Sequence, residues 1–227
     1  TGGICGRQIK LTRQDHRYSA EKAVPLYAQS KGSVRGYVQL LGSPILAALK
    51  KPLTDDKVAV VPSSWASTNL DVPEVVMVGT TYDVEMVDGL SYLLEKGKIK
   101  EGDTLGHIYV DSEYGKNGLK GSMAFADAHK LEIVQAAVTS TDSDLTSAIT
   151  QLKSAGVKAI LLTTTPAQTA SAVGQAAAQR AAPIAPRNRV SGTEWSTPVP
   201  RSCWPVTRCR APGSIRCARG PTRSCAR

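Results

Sequence analysis

The sequence predicts an α/β protein with parallel, doubly wound sheets, and three observations predict it. Short runs rich in Val, Ile and Leu recur along residues 1–179, and most are followed by a segment with apolar residues at helical spacing. The runs are continuous in aliphatic residues, as strands covered on both faces require. The alternation is regular, and repeated strand–helix units of this kind fold as βαβ crossovers.

The elements follow in order. "RQIKLTRQD" (7–15) alternates apolar and polar residues and reads as a strand. "SAEKAVPLYAQSKG" (19–32) reads as a helix with Ser19 as N-cap and Gly32 at its end. "VRGYVQLLGS" is the next strand, and "PILAALKK" a short helix with Pro44 in its first turn. "KVAVVPSS" and "VVMVG" are strands, the second ending at Gly79. "DVEMVDGLSYLLEKGK" places apolar residues at 84, 87, 90, 93 and 94, one helical face. "DTLGHIYV" is a strand that leads into an acidic, glycine-punctuated turn, "DSEYGKNG", and then the helix "GLKGSMAFADAHK". "EIVQAAV" is a strand. "DSDLTSAITQLKSAG" is a helix with acids at its start and Gly156 just past its end. "VKAILLTTT" is a strand, and "PAQTASAVGQAAAQ" closes the pattern as a helix.

Charge divides the 227 residues into two kinds of sequence. Residues 1–179 hold 14 Lys, 4 Arg and 18 acids and are neutral overall. Residues 180–227 hold 10 Arg, no Lys and one acid, Glu194, so the whole excess of +9 lies there. Four of the five cysteines (Cys203, Cys209, Cys217, Cys225) lie there too, with 5, 7 and 7 residues between them, which is not zinc-finger spacing. The segment has no period of 2 or 3.6, and its residues are those of GC-rich codons. It is expected to be an out-of-frame, disordered tail with no selected function. A basic nucleic-acid or membrane arm is the competing reading. No run approaches the roughly 18 apolar residues of a membrane span. No secretion signal is visible, and the chain opens at a turn before a strand, so it is expected to enter partway through a fold.

Much chemistry is absent. No GxSxG, GxGxxG or GxxxxGK[ST] pattern occurs, which leaves the nucleophile-elbow, dinucleotide and P-loop classes without support. His16, His107 and His129 lie in different units, none at metal-ligand spacing, and His107 falls inside a strand, where a structural role is expected. Asp142 and Asp144 precede an apolar helical run and read as capping groups rather than a metal site. Asp111 and Glu113 read as a solvated turn rather than a catalytic pair. No cofactor, metal or catalytic residue is expected.

A ligand site is suggested where strands end. In doubly wound sheets ligands lie beyond the carboxyl ends of the strands. Here those ends carry small polar groups: Leu41-Gly42-Ser43, Ser63-Ser64-Trp65 and Thr163-Thr164-Thr165, with Tyr114 at a fourth. Hydroxyls beside helix starts bind a carboxylate or ammonium without transforming it. The alternative for Ser43, Ser63 and Thr165 is that they only cap helices.

At this point the pattern resembles a family, the type I periplasmic (solute-binding) proteins of ABC transporters, in the branched-chain amino-acid group. "GGICGRQIKL" resembles that family's GG[IV]NGR turn, with Cys5 in place of Asn, and "AEKAV" resembles its second helix. "GYVQLLGSP", "AVVPSSWAS", "VDSEYGKNGLKG" and "TDSDLTSAITQLKSAGVKAILL" are similar to its later segments, in the same order, to about residue 180. The resemblance implies two α/β lobes closing on a ligand, 1–80 and 81–179, both incomplete, the first lacking a strand and a helix. It implies that Leu41, Gly42, Ser43, Ser63, Ser64 and Trp65 hold the ligand's α-carboxylate and α-ammonium from one lobe. Tyr114 and Thr163, Thr164 and Thr165 would close from the other. Trp65 stands where the family has a smaller residue. The implied role is that of a monomeric, periplasmic or membrane-anchored extracellular protein, exported by a signal peptide outside this chain, that binds a branched-chain or related amino acid for an ABC permease, with no nucleic acid. Three other classes compete: a cytosolic amide or amino-acid sensor of the same fold, an α/β enzyme acting through Ser, Thr or Tyr, and a basic-arm nucleic-acid binder. A non-functional fragment is a further possibility.

Overall fold

The computed structural model describes residue 3 and residues 5–184. Of the tail expected from residue 180, residues 180–184 are described, and Ile184 forms a parallel bridge with Ile160; residue 185 onward lies outside the described residues. Of the described residues, 14–184 fall in one compact unit and 3 and 5–13 in another.

In the unit of residues 1–13, the strand expected from residue 7 does not form. Only Arg7 takes part in a bridge, and Ile9 and Leu11 are 62% and 65% exposed. Alternation marks extended chain, but a strand also needs a paired row of N–H and C=O groups.

The larger unit opens with two βα-type layers. Helix α1 (Ala20–Ser30) starts at Ser19 as expected, and strand β1 (Tyr37–Leu41) follows. Helix α2 (Ser43–Asp56) runs past the expected stop at Lys51 and through Pro52, ending at a left-handed Lys57. Proline removes one helical hydrogen bond, yet the apolar face of α2 (Ile45, Leu46, Leu49, Leu53) is continuous and buried against Ala23, Tyr27 and Val60. The Pro52 carbonyl also accepts from the Tyr27 hydroxyl at 3.2 Å. Strand β2 (Val60–Ser63) pairs parallel with β1, with an irregularity between Val38 and Leu40 where Gln39 has φ +60°. The strand expected at 75–79 is reduced to one bridge, Val60 to Val75, and Val76 and Val78 are exposed.

The second sheet is more complete. Strands β3 (Thr104–Val110), β4 (Glu132–Val138) and β5 (Ile160–Thr163) are all parallel, in the order β4-β3-β5. Helices α3 (Tyr82–Glu95) and α4 (Glu113–His129) cover one face; α5 (Thr146–Ser154) and α6 (Pro166–Ala178) cover the other. The period-2 alternation of β3 feeds both cores: Leu105 joins Leu90, Leu93 and Phe125, while Ile108 and Val110 join Ile149, Leu152 and Ala172. This is the doubly wound α/β arrangement that the sequence predicts.

Two local details differ. The segment "EYGKNG" is not a turn but the first turns of α4, which starts at Glu113 behind an N-cap, Ser112. The N-cap position of α5 is Leu145, without a side-chain cap; of the two expected capping acids, Asp144 meets the helix start, accepting from Thr146 N at 2.8 Å, while Asp142 turns back and accepts from Thr139 N at 2.7 Å. Both carboxyls are held below the usual range, chiefly by these bonds.

Candidate functional site

The β1–α2 and β2 ends converge. Gly42 is the N-cap of α2 with φ +105° and no capping side chain, so the first-turn N–H groups carry the helix dipole uncapped by any side chain. Ser43, the first helical residue, is buried, and its Oγ lies 2.6 Å from Oγ of Ser64, which is fully buried just past β2. Leu41 is half exposed beside them. Ser63 turns away and donates to Gln39 Oε1 at 2.9 Å. The Trp65 indole N–H donates to the Pro62 carbonyl at 3.2 Å, and its ring lies flat enough on Gly79 that a Cβ there would come within 2.9 Å.

The second group stands at the β3 and β5 ends. Tyr114 is in the first turn of α4, with its hydroxyl 3.5 Å from the Thr164 carbonyl. Thr163 donates its hydroxyl to a different duty, lying 2.8 Å from His107 Nε2. Thr164 is buried, with Oγ1 2.9 Å from Thr169 Oγ1. Thr165 is the N-cap of α6 in a reciprocal capping box with Gln168, so the capping alternative holds for it. Of the three threonines, it is the Thr164 backbone that meets Tyr114.

The two groups are joined by residues that were not singled out from the sequence. Tyr82 donates its backbone N–H to the Trp65 carbonyl at 3.1 Å and packs edge-on to Tyr114, centroids 4.7 Å apart. Tyr18 lies across Gly42: a Cβ on Gly42 would sit 2.8 Å from Tyr18 Cε2. Tyr82 had a legible signal, because "VGTTY" repeats the pattern of a small polar strand end before a helix. Tyr18 had none, being one aromatic in a polar loop.

Beside the aromatics is a polar clasp. Ser67 N donates to Asn117 Oδ1 at 3.2 Å, and Asn117 Nδ2 donates to Ser67 Oγ at 2.8 Å. Glu113, expected in a solvated turn, instead accepts from the Thr68 hydroxyl and pairs with Lys50 at 3.5 Å. The helix start brings it inward. Asp83 loses hydration by burial, which raises its pKa, but bonds from Thr81, Ser67, Val84 N and Asn117 outweigh this and hold it below the usual range. Among the described residues no group of three or more His, Cys, Asp or Glu could hold a metal ion, and no helix is long and apolar enough to cross a membrane. A mainly apolar groove of about 430 Å³ lies apart, along α6 and residues 180–184, lined by Leu162, Val173, Ala176 and Ile184 among others.

Uncapped donors, paired hydroxyls and aromatic rings thus stand at the strand ends of the two parallel sheets of this α/β protein. The family model described as periplasmic binding protein matches residues 1–184, and the chain belongs to that family. Among solved structures it is similar to a fatty acid ABC transporter substrate-binding protein from Thermomonospora curvata: 38% identity, TM-score 0.77, covering 81% of this chain and 47% of that one. It is also similar to a branched-chain amino acid ABC transporter protein from Thermus thermophilus with bound valine (17% identity, TM-score 0.66, 74% of this chain and 44% of that one). A third is an R. palustris solute-binding protein in complex with benzoate (16%, 0.71, 81% and 52%). The chain spans about half the length of these structures. No curated protein matches it.

Proposed function

We propose that the chain is the ligand-holding part of an extracytoplasmic substrate-binding protein that delivers a small carboxylate to the membrane subunits of an ABC transporter. The observation that carries this is the buried Ser43–Ser64 hydroxyl pair at the uncapped N-terminus of α2. Oriented N–H and O–H donors stabilise a carboxylate and supply no base to attack it. Leu41, Gly42, Ser43, Ser63, Ser64 and Trp65 form one side in this reading. Tyr114 and the Thr163–Thr165 strand end form the other, on lobes 1–80 and 81–179. The protein works as a monomer, without cofactor, nucleic acid or covalent chemistry, and the ligand shifts an open–closed equilibrium.

The ligand class we favour is a monocarboxylate with an apolar chain. Trp65, Tyr82 and Tyr114 supply apolar walls, and the similar protein at 38% identity is named for fatty acids. A second reading, a branched-chain amino acid, is favoured by Glu113: its Oε2 is buried with no hydrogen-bond partner among the described residues, one position from Tyr114, and could accept an ammonium. Calorimetric titration with octanoate and with leucine tests both. Tight binding of one and not the other chooses between them. Ser43→Ala is expected to weaken the tighter ligand by about tenfold, the loss of one hydrogen bond to a charged group. If neither compound binds below millimolar concentration, the carboxylate reading fails.

A further inference from the structure

We propose that Tyr18 is a specificity-determining residue, which narrows the carboxylate end of the site and excludes ligands branched at the carbon next to the carboxylate. The inference rests on the carboxylate reading above and adds to it.

Tyr18 is held in place at a cost. Arg17 and Tyr18 have φ +50° and +55°, two successive left-handed residues that are not glycine. Left-handed backbone is unfavourable for such residues, and conformations of this kind persist where the surroundings over-determine them, often at ligand sites. Here the turn is fixed by its own side chains: Arg17 N donates to Asp15 Oδ1 at 2.7 Å and Tyr18 N to His16 Nδ1 at 3.1 Å. The left-handed turn throws the Tyr18 ring over Gly42, whose absent side chain makes the approach possible. The residue remains 45% exposed, yet burial raises the pKa of its hydroxyl, with Tyr82 a further contributor.

The consequence is steric. A carboxylate docked on the α2 N-terminus and the Ser43–Ser64 pair places its first carbon about 1.5 Å further out, a single C–C bond. The Tyr18 ring already fills the space a side chain on Gly42 would take. An unbranched chain passes along the ring face and gains apolar contact. A branch at the first carbon meets the ring.

Octanoate and 2-propylpentanoate are isomers that differ only in this branching, so their transfer free energies nearly cancel. Both are titrated calorimetrically into the full chain and into Tyr18→Ala and Tyr18→Phe, with circular dichroism confirming the fold. The wild type is expected to prefer octanoate by about tenfold or more, a difference of about 1.4 kcal/mol. Tyr18→Phe should keep the preference, and Tyr18→Ala should reduce it to about threefold or less, mainly by admitting the branched acid. Should Tyr18→Ala not fold, Tyr18→Leu carries the same expectation in reduced form. An unchanged ratio in a folded small-side-chain variant overturns the proposal alone and leaves the carboxylate reading standing. So does a wild type that binds both isomers equally. A wild type that binds neither isomer overturns the proposal, and the carboxylate reading falls with it only when leucine does not bind either.

Discussion

His107 sits in the middle of β3 with no exposed surface, and its ring is fixed by two hydroxyls at 2.8 Å, Ser122 on Nδ1 and Thr163 on Nε2. Ser122 Oγ already donates to the Leu119 carbonyl at 2.9 Å, so Nδ1 carries the proton and Nε2 accepts from Thr163. Among the described residues no carboxylate faces the ring; its aromatic neighbour is Tyr109, edge-on at 6.0 Å. Burial therefore acts alone and lowers the pKa from 6.5 to about 4. The sign follows from proton uptake. Between these two values the unfolded chain binds a proton that the folded chain refuses, so stability is full above pH 6.5 and falls as pH drops toward 4. The loss amounts to about 3 kcal/mol at 1.36 kcal/mol per unit. Urea midpoints at pH 7.5, 5.5 and 4.5 should fall accordingly, and His107→Gln should flatten that slope. Asp83, held low, contributes in the other window, below the ordinary carboxylate range, so the two effects separate. A midpoint constant from pH 7 to 4.5 in the wild type would refute the assignment.

Helix α4 shows how an element is placed by what its residues lack. Gly118 and Gly121 lie three apart on the face that meets the sheet and α3. A Cβ on Gly118 would overlap the Thr163 hydroxyl, and one on Gly121 the Asp83 carbonyl. These approaches let α4 bring Tyr114 and Asn117 against their partners. Alanine normally stabilises a helix by up to about 1 kcal/mol over glycine; overpacking against a fixed backbone costs about 1–3 kcal/mol. At Gly121 the clash is with backbone and wins, so Gly121→Ala is expected to lower the chemical-denaturation midpoint. At Gly89, in α3, nothing lies within 4 Å, and Gly89→Ala should raise it. Equal signs at both positions would show that α4 does not pack so closely. The same residues explain what could be read in advance. Long periodic stretches such as 83–98 and 146–154 were legible because one apolar face is enough to define them. The start of α4 was not, because Gly115, Asn117 and Gly118 look like turn residues until close packing is known to demand them; Ser112, a good N-cap, was the available signal. The missing strands at 7–15 and 75–79 fail for a related reason. Alternation and aliphatic content are local, but strand pairing depends on a partner. At the site, Ser43, Ser64 and Tyr114 were legible as strand-end polar groups. Tyr18 was not, because only the left-handed turn at 17–18 aims it at Gly42.

For the molecule as a whole, what joins the two halves of the proposed site is the clasp of Ser67 and Thr68 with Glu113 and Asn117, reinforced by Lys50. Ser43 and Ser64 lie on one side of this clasp in the sequence, and Tyr114 and Thr164 on the other. Any motion that separates the β1–β2 sheet from α4 must break the Asn117 bonds, and Asn117 is only 5% exposed. Removing that amide strands the Ser67 N–H and takes one of the bonds that hold Asp83, at a cost of about 1–3 kcal/mol to the joined arrangement. A ligand that needs both sides together binds only the fraction of molecules in which they are joined. Asn117→Ala is therefore expected to weaken octanoate or leucine, whichever the protein binds, by about five- to tenfold without touching it. The on-rate should fall with the competent population while the off-rate stays near the wild-type value. Stopped-flow detection of the tryptophan signal separates the two. A loss confined to the off-rate would place Asn117 in direct contact with ligand instead, and unchanged affinity would mean that the clasp holds the fold together but takes no part in the equilibrium that the ligand shifts.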